Sequence, residues 1–552
     1  MAKTERPAAA DDAGNNVPRT KPKRGKRALA NMMRIVDPGT FILPSYKLMQ
    51  QLAEIAVGKS EIAADKKDWR FQDKAWTENP VYRRLAQSYL AMSEVLEDAI
   101  PKDLEGDARS RAELIAAIVV SALSPTNTLL GNPAALARTR ETRGANLRRG
   151  VGKMIADMKK GGGLPSQVDA SGFEVGVNLA ATPGKVVLRT DMFELIHYKP
   201  STATVHQVPV VLIPPQIGRY YFTDLAPGRS FVEYAVASGL QFFTVSWRNP
   251  SAAHRDWGLV DYMWSSVQAL DVVESITGHK GVNIVGFCAG GILSSIVAAY
   301  LQAKGDTRIK SLSVCVTMLD FTSDASIGAF RLPSMLKAAK DRSRSQGVLP
   351  GKDLQKVFAW MRPNDLVWNY WVNNYLMGDD PPAFDILAWN SDSTNLPARL
   401  HEDFLTLFDE NPLARGSDYQ MLGERVDLSK VDCDTFLVGA INDHITPWKA
   451  CYRSVSLLGG KTTFALSNGG HIAALVNPPD NPKAFHWIAP GMEGDAEAWL
   501  KQAEKQPGSW WVGWAKWCAE RAGRKVRARK VLGSADYPPI ADAPGDYVRE
   551  EC

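Results

Sequence analysis

A cysteine occupies the centre of a G-x-C-x-G segment, Gly286–Gly290, near the middle of the chain. The apolar run Val282–Val285 precedes this segment, and small and aliphatic residues typical of a helix follow it. In enzymes that carry G-x-S-x-G between a strand and a helix, a tight turn exposes the central serine as a nucleophile. The sequence therefore predicts that Cys288 is a thiol nucleophile. The alternative is a buried cysteine that acts only as a small apolar residue.

Two further residues stand where an acid and a base would follow such a nucleophile. Asp443 ends one apolar run, and His471 follows Ser467–Gly470 in a loop after another. Taken singly, Asp443 could cap the next helix and His471 could be a structural loop residue. The chain order nucleophile, acid, histidine is that of the α/β-hydrolases, and it predicts a catalytic triad of Cys288, Asp443 and His471.

His444 is a rival candidate for the base because it is adjacent to Asp443. Neighbouring side chains in a sequence seldom point at the same target. We therefore prefer His471 as the base and interpret His444 as structural.

The elements that would position these residues change in character along the chain. Residues 28–160 repeat apolar positions at intervals of three and four, which is typical of helices. After a glycine-rich break at 159–167, short β-branched runs alternate with helical ones, which favours a mostly parallel sheet covered on both faces. We predict an α/β-hydrolase fold at 166–552, preceded by an all-helical N-terminal domain at 28–165.

The composition is that of a globular protein. Of the 552 residues, 45% are hydrophobic and 23% are charged, which is too evenly mixed for a disordered chain. The longest apolar run, Leu114–Leu123, is shorter than the roughly 20 residues of a membrane-spanning helix. Since no secretory signal opens the sequence either, we expect a cytoplasmic protein without a membrane span.

The net charge of +5 is small but unevenly placed. The basic run Arg19–Arg27 follows a segment rich in Ala, Asp, Asn and Pro, so residues 1–27 are predicted to form a disordered basic tail. A nucleic acid or another anionic surface is one partner that such a tail could contact. A solvated arm without a specific partner is the preferred interpretation, and no later segment indicates nucleic-acid binding.

The cysteines are scattered and include no C-x-x-C pair, which favours reduced thiols over a disulfide framework or a zinc site. They are Cys288, Cys315, Cys433, Cys451, Cys518 and Cys552.

Longer motifs resemble those of the polyhydroxyalkanoate synthases, the polymerases that make bacterial storage polyester. Ordinary esterases share only the elbow and the triad order. The motifs extend from about Ser124 to Pro479. They are the elbow around Cys288 and the segments SPTNTLLGNPAAL, IPPQIGRYY, FTVSWRNP, RPNDLVWNYWVNNYLMG, NDHITPW and SNGGHIAALVNPP.

The resemblance implies a role for each candidate residue. Cys288 would carry the growing chain, His471 would be the base, Asp443 would be its partner, and residues 321–430 would form a lid inserted over the site. The substrate would be an (R)-3-hydroxyacyl-coenzyme A, so that no cofactor or metal is expected. The resemblance also implies a homodimer that acts on the growing polyester at the surface of polyhydroxyalkanoate granules in the cytoplasm.

A thiol suits polymerisation from an acyl-coenzyme A donor. Moving an acyl group between thioesters is nearly neutral in free energy, whereas attack by an alcohol on the thioester runs downhill. Since a free thiol has a pKa of about 8.5, His471 must act as base, assisted by the amino end of the next helix. The oxyanion needs two backbone donors, which we predict at Ala289 and, in the loop after VVLIPP, at Ile217.

Other interpretations stay open. A cysteine esterase or depolymerase of the same fold would use this triad with water as acceptor, and a granule-coating scaffold would carry a vestigial elbow. Monomer length is also open, because VFAWMRPNDL and PPQI resemble medium-chain synthases whereas Phe287 and HIAALVNPP resemble short-chain ones. We favour the medium-chain type.

Two aromatic-rich segments each allow more than one role. VFAWMRPNDLVWNYWVNNYLMG suits a cover over the site, a subunit contact or plain core. The four tryptophans within 510–517 predict a helix packed against the sheet, in preference to one that contacts polymer or a neighbour.

Overall fold

The first part of the chain is helical in the computed structural model. The structure describes residues 38–160, 163–322, 326–415, 418–492 and 494–551. The helices here are α1 (Pro38–Ala56), α2 (Ala75–Glu78), α3 (Pro80–Asp98), α4 (Gly106–Ala122), α5 (Pro133–Glu141) and α6 (Ala145–Lys159). The tail predicted at 1–27 lies outside the described residues, and the domain division at 165 stays a prediction.

Local sequence explains how these helices begin and pack. Asn79 accepts a hydrogen bond from the N–H of Val81 at the start of α3, and Pro80 is the first residue of that helix, where its missing N–H is harmless. Phe71 and Trp76 meet edge to face, with ring centroids 4.9 Å apart, and form a small core with α3.

A large mixed sheet forms the rest of the framework. Its order is β15-β14-β13-β12-β7-β6-β4-β5-β2-β1-β17. Its strands are β1 (Gly184–Arg189), β2 (Phe193–Tyr198), β4 (Val210–Ile213), β5 (Phe242–Trp247), β6 (Val282–Phe287), β7 (Ile309–Cys315), β12 (Asp434–Ala440), β13 (Thr462–Ser467), β14 (Phe485–Pro490), β15 (Glu504–Pro507) and β17 (Ala541–Asp542). Small pairs join β3 (Thr204–His206) to β16 (Lys525–Arg527), β8 (Val348–Leu349) to β9 (Leu396–Pro397), and β10 (Gln420–Met421) to β11 (Glu424–Arg425).

The centre of the sheet is parallel and buried. Strands β13, β12, β7, β6, β4 and β5 run parallel to one another, whereas β14 is antiparallel to β13 and β2 is antiparallel to β5. Every residue of β6 is buried, as expected of a strand with helices on both faces. Because parallel strands end at one edge, the residues that follow β6, β12 and β13 are brought together.

Helices cover both faces of this sheet. The helices that follow β4 and its neighbours are α7 (Phe231–Ala237), α8 (Leu259–Thr277) and α9 (Ala289–Ala303), and those near the end are α14 (Trp448–Arg453), α15 (His471–Leu475), α16 (Ala496–Gln502) and α17 (Trp510–Glu520). The residues of α8 and α9 bury one face, and those of α7 and α17 bury the other. Trp514 of α17 donates its indole N–H to Ser313 Oγ on β7 at 3.0 Å, so the tryptophan-rich helix packs against the sheet.

An insertion separates β7 from β12. It contains α10 (Pro333–Gln346), α11 (Gly351–Met361), α12 (Asp385–Ser391) and α13 (Ala398–Glu410), with two π-helical segments at Asn364–Trp368 and Trp371–Met377. The second π-helical segment packs on α6. Asn146 donates to the carbonyl of Leu376 at 2.7 Å, and a Cβ at Gly150 would lie 2.0 Å from the carbonyl oxygen of Tyr375. The insertion is therefore joined to the helical part of the chain. The lid limits of 321–430 stay a prediction.

Candidate active site

Cys288 lies on a strained turn between β6 and α9. Its backbone has φ of 51° and ψ of −122°, a conformation that L-residues rarely adopt. The turn needs its glycines, because a Cβ at Gly290 would lie 2.2 Å from the carbonyl oxygen of Ile213 and one at Gly286 would lie 2.5 Å from Ser294 Oγ. This close packing presents the thiol at the carboxyl edge of the sheet, beside the loop that follows β4.

Asp443 and His471 meet at the same edge. Asp443 lies just beyond β12, and His471 is the first residue of α15 after β13. Nδ1 of His471 is 2.7 Å from Oδ2 of Asp443, and both side chains are buried. The other carboxylate oxygen, Oδ1, accepts hydrogen bonds from the N–H groups of Ile445 and Thr446 at 2.8 and 2.9 Å. The carboxylate is thus held rigidly against the imidazole.

Electrostatics in this cluster favour a charged pair. Burial alone lowers the pKa of His471, but the charges of Asp443 and Cys288 and hydrogen bonds to both outweigh it and raise the pKa to about 10. Burial likewise opposes ionisation of Asp443, yet His471 and the hydrogen bonds from Thr446 hold the pKa of Asp443 below its usual value. Because Asp443 engages Nδ1, the nitrogen left for Cys288 is Nε2. The structure therefore brings all three predicted triad residues together.

Thr446 is a member of this cluster that sequence reasoning missed. Its hydroxyl oxygen lies 2.7 Å from Oδ2 of Asp443, 3.1 Å from Nδ1 of His471 and 3.0 Å from the carbonyl oxygen of Val316. Val316 follows β7 with φ of 45°, which is unusual for a β-branched residue. The threonine follows the acid by three residues, but no local pattern in the sequence marks this contact.

His444 does not join the triad. Its Nδ1 is buried, and no described group forms a hydrogen bond with it. Burial and, secondarily, the charge of Arg362 lower the pKa of His444 to about 4, so its ring is neutral near pH 7. The hydrogen bond to Asp443 is made by His471, and the choice of His471 as the base stays a prediction.

The two predicted oxyanion donors lie on the elbow and on the loop that packs against it. Ala289 is the first residue of α9, and Ile217 lies in the loop after β4. The carbonyl oxygen of Ile213, the last residue of β4, packs against Gly290. Within the described chain, neither the N–H of Ala289 nor that of Ile217 is used in a hydrogen bond. Both are therefore available to a substrate oxygen, and their role stays a prediction.

The insertion is hydrogen-bonded to the loop that follows β4. The N–H of Gly218 donates to Thr394 Oγ1 at 2.8 Å, and the indole N–H of Trp389 donates to the carbonyl of Arg219 at 2.8 Å. Arg219 itself binds Asp392 at 3.1 Å and the carbonyl of Tyr547 at 3.0 Å. The insertion and the segment around Tyr547 therefore meet on this loop.

Metal clusters and disulfides are absent from the described residues. In this part of the chain, no group of three His, Cys, Asp or Glu side chains could hold a metal ion, and the five described cysteines are free. Cys552 lies outside it. No helix among the described residues is long and apolar enough to cross a bilayer.

Comparison with known proteins decides the family. Residues 67–235 match the family described as the poly-beta-hydroxybutyrate polymerase (PhaC) N-terminus, and residues 209–478 match the alpha/beta hydrolase fold. The chain is 45% identical to poly(3-hydroxyalkanoate) polymerase 1 of Ectopseudomonas oleovorans over 501 residues, which cover 91% of this chain and 89% of that protein. The chain belongs to the poly(3-hydroxyalkanoate) polymerase family.

A second relative supports the same membership. The poly(3-hydroxyalkanoate) polymerase subunit PhaC of Cupriavidus necator is 38% identical over 512 residues, which cover 91% of this chain and 86% of that protein. The polymerase-family resemblance seen in the sequence is confirmed. The match to the hydrolase fold and the sheet also confirm the predicted fold class, an α/β-hydrolase fold preceded by a helical region.

Proposed function

We propose that this chain polymerises (R)-3-hydroxyacyl-coenzyme A into polyhydroxyalkanoate with release of coenzyme A, through an acyl group held on Cys288. The observation that carries the proposal is the thiol on a strained strand–helix turn, in contact with a buried histidine whose Nδ1 is 2.7 Å from a buried carboxylate. Membership of the polymerase family supports the choice of substrate.

The first step moves the acyl group onto the enzyme. The thiol proton passes to His471, whose raised pKa keeps it protonated near pH 7, and the thiolate of Cys288 then attacks the thioester carbonyl of the substrate. The oxyanion that forms accepts hydrogen bonds from the N–H groups of Ala289 and Ile217. When the carbon–sulfur bond to coenzyme A breaks, the leaving thiolate takes the proton back from His471, so charge and protons balance.

The second step makes the ester. The 3-hydroxyl group of another monomer attacks the acyl-cysteine, its proton passes to the His471–Asp443 pair, and the Cys288 thiol is regenerated. Asp443, which is held by Ile445 and Thr446, keeps the imidazole in one tautomer and stabilises its charged form.

Water must be kept from the acyl-cysteine for the chain to grow. Trp389 and Thr394 of the insertion hydrogen-bond the loop that carries Ile217, and these contacts support a cover over the site. This cover supports polymerisation over hydrolysis, in which water would release free acid. The chemistry needs neither a metal nor a resident cofactor, because coenzyme A arrives as part of the substrate.

The finer properties of the enzyme are proposals of the same kind. The segments VFAWMRPNDL and PPQI support monomers of medium chain length. A homodimer at the surface of a polyester granule fits the family resemblance.

The test is turnover by the purified protein. With (R)-3-hydroxyacyl-coenzyme A esters of 4 to 10 carbons (about the short and medium range), the proposal expects coenzyme A release together with polymer, fastest for the longer esters. Coenzyme A release with free 3-hydroxy acid and no polymer would show a thioesterase instead. Fastest release from the four-carbon ester would contradict only the medium-chain assignment and would leave the polymerase proposal intact.

A further inference from the structure

Gln216 is a buried amide without a partner. The residue is 4% exposed, and neither Oε1 nor Nε2 forms a hydrogen bond with any described group. A carboxamide offers two N–H donors and a carbonyl acceptor, and leaving them unpaired in the interior is expensive. Buried polar groups are usually paired, so an orphaned one at a functional loop indicates a group that pairs when a ligand binds.

The position of Gln216 is at the candidate active site. It lies in the loop after β4, two residues beyond Pro214, whose carbonyl oxygen would be 2.8 Å from a Cβ at Gly290. It directly precedes Ile217, the predicted oxyanion donor. Its own carbonyl oxygen is 3.5 Å from Thr394 Oγ1 in the insertion. The loop that carries Gln216 therefore begins against the elbow at Pro214 and is bound by the insertion at Gln216.

The substrate has two polar groups close to the reacting carbon. The carbonyl oxygen can accept hydrogen bonds from the free backbone N–H groups of Ala289 and Ile217. The 3-hydroxyl group, which both donates and accepts, is left without a partner among the triad residues during acylation. The amide of Gln216 has the matching donor and acceptor.

We propose that the side-chain amide of Gln216 binds the 3-hydroxyl group of the acyl-coenzyme A during acylation of Cys288, and so selects hydroxylated acyl groups. This inference rests on the proposed polymerase function and adds a residue that recognises the substrate. A fatty acyl-coenzyme A without the hydroxyl would leave the amide unpaired in the complex. The site should discriminate against it for that reason.

The experiment measures single-turnover release of coenzyme A from (R)-3-hydroxyoctanoyl-coenzyme A and from octanoyl-coenzyme A. Wild type should favour the hydroxylated ester by about 10-fold to 100-fold. Gln216→Met keeps the length of the side chain and removes its polar atoms. It should slow release from the hydroxylated ester until the two rates are equal, while release from octanoyl-coenzyme A stays unchanged. The ratio of rates within one preparation does not depend on the fraction of folded protein.

Gln241→Met is the matched control. Gln241 is also buried, but its Nε2 donates to the carbonyls of His206 and Gln207 at 2.8 and 3.2 Å, and it precedes β5 at the opposite edge of the sheet. Its replacement leaves two carbonyls unpaired and should lower Tm without changing the ratio of rates. Gln216→Met removes atoms that have no protein partner and should not lower Tm.

The outcomes separate this inference from the function on which it rests. An unchanged ratio in Gln216→Met overturns the role of Gln216, even though wild type remains a polymerase. Equal loss with both esters also overturns it, because the amide would then contact the carbonyl that the two esters share. No release of coenzyme A by wild type from either ester would overturn the proposed function itself.

Discussion

Oδ2 of Asp443 lies 2.7 Å from Nδ1 of His471, and the same oxygen is 2.7 Å from the hydroxyl of Thr446. The carboxylate is therefore the fixed point of the site. It orients the imidazole and favours its protonated form, which is what each proton transfer requires.

Asp443→Asn should separate the two chemical steps. The amide keeps the shape of the carboxylate but disfavours the imidazolium and the correct tautomer, which costs about 10⁴-fold in a serine protease triad. A thiol is more acidic than an alcohol, so acylation of Cys288 should suffer less than the attack of a hydroxyl group. We expect one acyl group on the protein, seen by intact mass, with little polymer. Loss of acylation and of polymer to the same extent would contradict this order.

Cys288→Ala should abolish coenzyme A release. Burial raises the pKa of the Cys315 and Cys451 thiols well above the usual range, which keeps them protonated and unreactive. Alanine at either position, or at Cys433, Cys518 or Cys552, should leave most of the activity. Measurement of the released coenzyme A with a thiol reagent checks the Cys288→Ala variant and the alanine variants of the other cysteines. Appreciable polymer from Cys288→Ala would rule out the acyl-cysteine.

His471→Gln should stop acylation by removing the proton acceptor of Cys288. His444→Gln is the matched control, because His444 is neutral near pH 7, has no hydrogen bond to the carboxylate and should mainly affect the local turn. Acylation is followed by intact mass with one equivalent of substrate, and circular dichroism checks folding. A similar loss of acylation in His471→Gln and His444→Gln, with both variants folded, would contradict the role assigned to His471.

The raised pKa of His471 should appear in the pH dependence of stability. A pKa raised from about 6.5 to about 10 means that the imidazolium stabilises the folded state fully below pH 6.5, and that this contribution is lost as the pH rises through 10. The free energy of unfolding of wild type relative to His471→Gln should therefore fall between pH 7 and pH 10. Urea unfolding at several pH values measures it. A difference that does not change with pH would show that His471 is neutral.

The mostly parallel sheet and the meeting of Asp443 with His471 could be predicted because their signals are local. The glycines around Cys288 indicate a turn too tight for side chains, and the short β-branched runs indicate strands of a parallel sheet. The carboxyl ends of such strands share one edge, so Asp443 and His471 could be assigned to one site from their positions alone. Their contact at 2.7 Å agrees with that prediction, while their catalytic roles stay to be tested.

The remaining features depend on contacts that no local pattern records. The hydroxyl of Thr446 reaches the carboxylate only because of the backbone turn at Asp443, and its contact with Val316 depends on a positive φ that valine rarely adopts. The lack of a hydrogen-bond partner for the Gln216 amide could not be predicted from the sequence either, since burial without a partner is a property of the packed interior. The two π-helical segments of the insertion also gave no periodic signal that separated them from α-helix.

The hydrogen bond between Arg219 and the carbonyl of Tyr547 has a consequence for biosynthesis, because the two residues are 328 positions apart along the chain. At the usual speed of translation, roughly 15 to 65 s separate the synthesis of the loop that holds Ile217 from that of the segment that supports it. Cys288 is made early in this interval. A ribosome-bound chain thus carries its nucleophile well before Tyr547 can fix the loop that holds Ile217, so polyester synthesis should begin only once residue 547 has emerged from the exit tunnel.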